Sequence, residues 1–146
     1  MVLIAFTLSV VCYAQQPPLR GLVVSDITIT GDGANLLLPE LRQALIDSGM
    51  EFNQRSTRYI EGDIHKYSYE GFEPWGDKLV CNIGIKDAND LYEEPDCFGN
   101  RWPKMKWFSG GDLRLSPTKI EVTTEDYKRL VVEVVKNFIT KVKSKL

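Results

Sequence analysis

Few side chains in this 146-residue chain are of a type and spacing that could do chemistry. The single histidine, His65, lies two residues from Asp63 in an alternating stretch, so both project from the same strand face. A carboxylate beside an imidazole can hold and pass a proton. A triad or a metal site needs a third partner brought in from elsewhere, and no second histidine exists to supply one. Polar residues on the solvated face of a half-buried strand are the plain alternative. The acidic run Asp87, Asp90, Glu93, Glu94 and Asp96 offers oxygen ligands for calcium. It lacks the alternating carboxylates and central glycine of a dedicated loop, and reads as a solvated charge run. No GxSxG, HExxH, P-loop, GxGxxG or EF-hand pattern is present. The expectation is therefore no catalytic residue, no metal site and no cofactor.

Residues 1–14 (MVLIAFTLSVVCYA) carry no charge. The run is too short to span a bilayer, which takes about 20 residues. An apolar stretch of this length ending in alanine fits the core of a secretory signal, although no Lys or Arg precedes it. A buried first strand is the alternative. Cleavage after Ala14 leaves Gln15-Gln16-Pro17-Pro18 as the mature start, and residues 15–146 as one exported domain, periplasmic or secreted. Membrane association would require lipidation at Cys12, which the bulky Val10-Val11 disfavours. The terminal Ser144-Lys145-Leu146 matches a peroxisomal address, at odds with export.

Removing the leader leaves two cysteines, Cys81 and Cys97. An even pair in an exported domain reads as a disulfide. Closing a loop of that length is worth roughly 3 kcal/mol in the chain-entropy view. Two free thiols are the alternative; no CxxC or Cys/His cluster points to a metal.

The aromatics are the richest feature. Tyr67, Tyr69, Phe72 and Trp75 gather around one turn, and Phe98, Trp102, Trp107 and Phe108 around another. Rigid rings with an arginine nearby are the composition of interface hot spots. Trp75, Phe98, Arg101 and Trp102 are the candidate partner-binding residues, whereas Trp107 is expected to pack in the core.

These residues need elements to position them. Leu22–Thr30 reads as a strand with Val23, Ile27 and Ile29 on one face. Leu38–Ser48 reads as a helix, with Pro39 in its first position and Gly49 as its stop. Tyr59–Tyr67 and Lys78–Lys86 alternate as strands; in the second, Leu79, Cys81, Ile83 and Ile85 face one way. Asp87–Gly99 is a loop, which a Cys81–Cys97 bond would tie to the sheet. Lys104–Ser109 and Lys119–Val122 are further candidate strands. A capping-box spacing, Thr123 to Asp126, opens a last helix with Tyr127, Leu130, Val131, Val134, Phe138, Val142 and Leu146 on one stripe. The expected fold is α+β: a two-layer β-α-β-β-β-α sandwich, an antiparallel-rich sheet with two helices on one face.

Residues 19–52 (LRGLVVSDITITGDGANLLLPELRQALIDSGMEF) resemble the start of mature LptE-type lipopolysaccharide-assembly lipoproteins. RYIEGDIHKY followed by KLVCNIGIKDAND resembles a strand pair of the TolB amino-terminal and CsgG-like periplasmic domains. The resemblance implies a β-α-β-β-β-α fold used for binding and assembly rather than catalysis. It carries over no functional residue.

Net charge is −2, with 18 Lys+Arg against 20 Asp+Glu. A nucleic-acid binder carries a basic excess to neutralise phosphates, and this chain has none. The Lys141, Lys143, Lys145 cluster reads as the solvated end of a helix. The first functional reading is a non-enzymatic, exported envelope accessory or binding protein with a protein partner. A small secreted or periplasmic inhibitor or immunity protein that blocks a partner enzyme is the alternative. A hydrolase with an unrecognised carboxylate site is the third.

Overall fold

The computed structural model describes residues 16–68, 76–119 and 121–144. Trp75, residues 1–15 with Cys12, and the last two residues therefore lie outside the described residues.

Two short strands, β1 (Val23–Val24) and β2 (Ile27–Gly31), lead into helix α1 (Ala34–Asp47). Strand β3 (Glu51–Phe52) follows, then three long strands: β4 (Arg58–Tyr67), β5 (Lys78–Leu91) and β6 (Pro103–Arg114). Helix α2 (Thr124–Lys143) closes the order. The main sheet runs β2-β4-β5-β6; β2 pairs parallel to β4 and the other pairs are antiparallel. The parallel pair β1-β3 forms a separate small ribbon. This is the expected α+β order, an open sheet and not a closed barrel.

Strand alternation builds the core. Ile60 and Ile64 of β4, and Leu79, Cys81, Ile83 and Ile85 of β5, all point to the helix side. α1 covers them with Leu37, Leu41 and Leu45, one stripe at four-residue spacing, and α2 with Leu130, Val134, Phe138 and Val142. α2 comes very close to β6 at Gly111: a Cβ there would lie 2.9 Å from the Val134 backbone nitrogen. Asn137 Nδ2 adds a 2.6 Å bond to the Gly110 carbonyl.

The capping box is present: Thr123 Oγ accepts from the Asp126 N–H, and Asp126 accepts from the Thr123 N–H. Asp126 is buried and also holds Lys119 Nζ at 2.7 Å. Burial opposes its ionisation. The Lys119 and Thr123 hydrogen bonds outweigh that and keep its carboxyl below the usual range.

Several expectations need correction. The strand expected over Leu22–Thr30 breaks at Ser25-Asp26, because its halves pair with different partners, β3 and β4. The break shifts the face by one residue, so Val24 rather than Val23 is buried with Ile27 and Ile29. α1 begins at Ala34, four residues before Leu38, so Pro39 sits inside the helix. Gly49 does stop it: φ is +104°, and the Gly49 and Met50 N–H groups bond back to Ile46 and Leu45. Lys119 belongs to a turn bonded to Ser116, and residues 121–122 are connection rather than strand. β5 does not end at Lys86 but runs to Leu91, and β6 runs back from Pro103.

That extension overturns the disulfide. Cys81 and Cys97 are both free; Cys81 is buried and Cys97 exposed. From Cys81 the strand runs ten residues to Leu91 before the turn, roughly 30 Å at strand rise. A disulfide needs Cα atoms within about 7 Å. The extended hairpin carries Cys97 away from the core instead of folding back on it. Burial pushes the Cys81 thiol up to about 12, with the Asp63 charge adding to the rise. Brief treatment of the native protein with iodoacetamide should modify Cys97 and spare Cys81 until denaturant is added. Recovery of a linked Cys81–Cys97 peptide would contradict this geometry.

Candidate interface at the hairpin tip

β4 pairs with β5 only as far as Asp87. Beyond that point β5 and β6 continue alone, as an arm that outruns the sheet. The register shifts between Lys86↔Met105 and Leu91↔Pro103, giving β5 extra residues over this stretch. Ion pairs fill the irregularity: Asp90 is held by Lys106 and, at 3.8 Å, by Lys104. Asp87 accepts from the Asn89 N–H at 3.0 Å and faces Arg58 Nε at 3.9 Å.

At the tip one carboxylate organises the turn. Asp96 Oδ1 accepts from the N–H groups of Phe98 and Asn100, each at 2.9 Å. Asp96 Oδ2 accepts from Trp102 Nε1 at 2.8 Å. The backbone closes the loop through Asp96 N to Asn100 O at 2.8 Å and Tyr92 N to Trp102 O at 2.9 Å. The Trp102 indole bond, followed by the Asn100 and Phe98 N–H groups, holds the Asp96 carboxyl below its ordinary range.

Around this frame the rings face outward. Phe98 is 85 % exposed, Trp102 58 % and Tyr92 50 %, with Leu91 beside them. Arg101 is exposed as well. Residues 92–102 carry three carboxylates, Glu93, Glu94 and Asp96, against the one guanidinium of Arg101. The structure thus gathers Phe98, Arg101 and Trp102 at one tip. Tyr92 and Leu91 complete the patch; nothing in the sequence marks them, because they sit in a run that reads as acidic. The expected core position of Trp107 is partly met: it is half-buried against the core, with the Arg58 guanidinium 5.7 Å from its ring centre.

Asp87, Asp90 and Asp96 are each engaged in hydrogen bonds or ion pairs, and among the described residues no group of His, Cys, Asp and Glu is placed to hold a metal. Asp63 and His65 share a face as expected, with His65 Nε2 3.8 Å from Asp63 Oδ2 and both side chains about half exposed. Among the described residues no helix is long and apolar enough to cross a membrane.

No family model matches the chain, and no curated protein matches it. Solved structures do. A PelC dodecamer from Paraburkholderia phytofirmans is similar at 8 % identity and TM-score 0.46, over 79 % of this chain and 88 % of that one. A minor lipoprotein from Acinetobacter baumannii is similar at 10 % identity and TM-score 0.33, over 85 % and 91 %. The rare lipoprotein B from Shewanella oneidensis is similar at 8 % identity and TM-score 0.35, over 84 % and 100 %. No residue role passes from these structures to this chain.

The depressed Asp96 carboxyl fixes a pH dependence. A group whose folded pKa is lowered contributes order above the ordinary carboxylate pKa, about 3.9, and that order is lost as pH falls through the depressed value. The Trp102 indole proton resonance should hold its position at neutral pH and move toward the free-indole position below about pH 3.9. Asp96→Asn should move it at neutral pH, with the melting temperature nearly unchanged. An indole resonance indifferent to both would contradict this role for Asp96.

Proposed function

We propose that this chain is a non-enzymatic, exported binding protein of the cell envelope, and that it engages a protein partner with the tip of the β5–β6 arm. The observation that carries the reading is the tip itself: Phe98, Trp102 and Tyr92 stand in solvent while Asp96 holds the turn that bears them. Leaving large rings in water is unfavourable, by about 25 cal/mol per Å² of apolar surface. A partner that covers them regains that term, and the ordered turn reduces the entropy lost on docking. Acidic groups around the rings favour a partner whose apolar pocket is rimmed by basic residues. The leader-like residues 1–14 support the compartment.

A projecting, internally braced hairpin is also the shape that fills a cleft. That favours a second reading, an inhibitor or immunity protein whose arm occludes a partner enzyme.

Affinity capture from envelope extract separates the two. A component of an assembly machine supports the first reading, and a single toxic or degradative enzyme the second. With either partner, Phe98→Ala or Trp102→Ala should weaken binding by about 1–4 kcal/mol while leaving the melting temperature nearly unchanged. Unaltered affinity in both variants would remove the tip from the interface.

A further inference from the structure

Both helices lie on one face of the main sheet, and the opposite face is open. Across it runs a trough of about 270 Å³ whose lining comes from all four strands: Thr28 and Thr30 of β2, Glu61 and Asp63 of β4, Asn82 of β5, and Met105 with Phe108 of β6. Register sets Thr30, Asp63 and Asn82 side by side in one row across three strands.

A bulge supplies the aromatic wall. Ile83 pairs with Ser109 and Ile85 with Lys106, so Gly84 faces two residues, Trp107 and Phe108. Trp107 takes φ +52°, rare for a bulky side chain. The extra residue lets Trp107 pack against the core while the next ring, Phe108, lines the trough, 56 % exposed. Gly84 leaves room for the Met105 thioether, which lies where a Cβ would stand.

The charge balance of the trough is incomplete. Its lining contains two carboxylates and no basic group. Glu61 is paired with Lys86 Nζ at 2.6 Å, outside the lining. Asp63 has no such partner: Oδ1 is shut off from water with no hydrogen bond, and His65 Nε2, 3.8 Å from Oδ2, is beyond hydrogen-bond reach. A carboxylate half-removed from water without a compensating donor is costly. A cation placed over it would offset that cost, and an aromatic ring beside it would add cation–π attraction.

We propose that this trough is a binding site for a lysine or arginine side chain of a partner protein. The ammonium or guanidinium group would sit against Asp63, its methylenes along Phe108 and Met105, with the Thr28 and Thr30 hydroxyls as further acceptors. The site stands apart from the hairpin tip and holds whether or not the tip docks.

The test is an amide NMR titration of the full folded chain at low salt with Nα-acetyl-lysine methylamide. Separate titrations use Nα-acetyl-glutamate methylamide, methyl glucoside and calcium chloride. Saturable shifts at Thr28, Asp63, Asn82 and Phe108 with the lysine probe alone are expected, at an affinity of about 1–10 mM. Asp63→Asn should weaken the affinity at least about tenfold, and Phe108→Ala several-fold. The second variant decides the matter should the first fail to fold. Absence of saturation, an equal response to the glutamate probe, preferential binding of the glucoside or calcium, or an affinity unchanged in folded variants would each overturn the assignment.

Discussion

Burial of one face of a four-stranded sheet under α1 and α2 is the interaction on which everything else rests. Ile60, Ile64, Leu79, Cys81 and Ile83 from the sheet meet Leu37, Leu41, Leu45, Leu130 and Phe138 from the helices, all fully buried or nearly so. Because sheet side chains alternate, committing every second residue to this layer commits the rest to the other side. The core therefore also creates the open face, with Thr28, Glu61, Asp63 and Asn82 in register across it. Close approach of α2 at Gly111 pins the helix to β6, the strand that carries both the bulge and half of the arm.

The arm follows from unequal strand lengths. β5 is 14 residues long and β4 is 10, so the β5–β6 pair must leave the sheet once β4 ends. A two-stranded ribbon has little core of its own and is marginal in water. Here polar contacts brace it: Asp90 with Lys104 and Lys106 at the base, Asp96 with two amides and an indole at the tip. Exposed ion pairs stabilise little individually. Their effect is geometric, in that they choose one conformation of the arm, so that Phe98 and Trp102 are presented rather than collapsed onto the sheet.

The layers were legible from the chain because they rest on periodicity. The Leu79-Cys81-Ile83-Ile85 alternation and the Tyr127-to-Val142 stripe define β5 and α2 directly, and Thr123/Asp126 marks the helix start. Local signals failed where tertiary partners decide. Gly33 caps α1 without a side-chain bond, so Pro39 was the more visible start. The stretch Asp87–Leu91 reads as acidic loop, but its strand character comes from pairing with β6. The Cys81–Cys97 pairing rested on number and compartment, and the length of the arm removes it. Phe98, Arg101 and Trp102 were recognisable by composition; the trough was not, since its residues belong to four strands and meet only through register and a bulge.

The tip is held in order by its own contacts, through Asp96 and not through the core, and so stands ready to bind. Native-state amide hydrogen exchange tests it most directly. Two classes are expected: β4 and β5 amides from Ile60 to Ile64 and Leu79 to Ile85 that exchange only on global unfolding, and Phe98 and Asn100 amides protected by a smaller, local opening free energy. Exchange of Phe98 and Asn100 at the rate of an unstructured peptide would contradict this, leaving a mobile loop in place of a preformed binding edge.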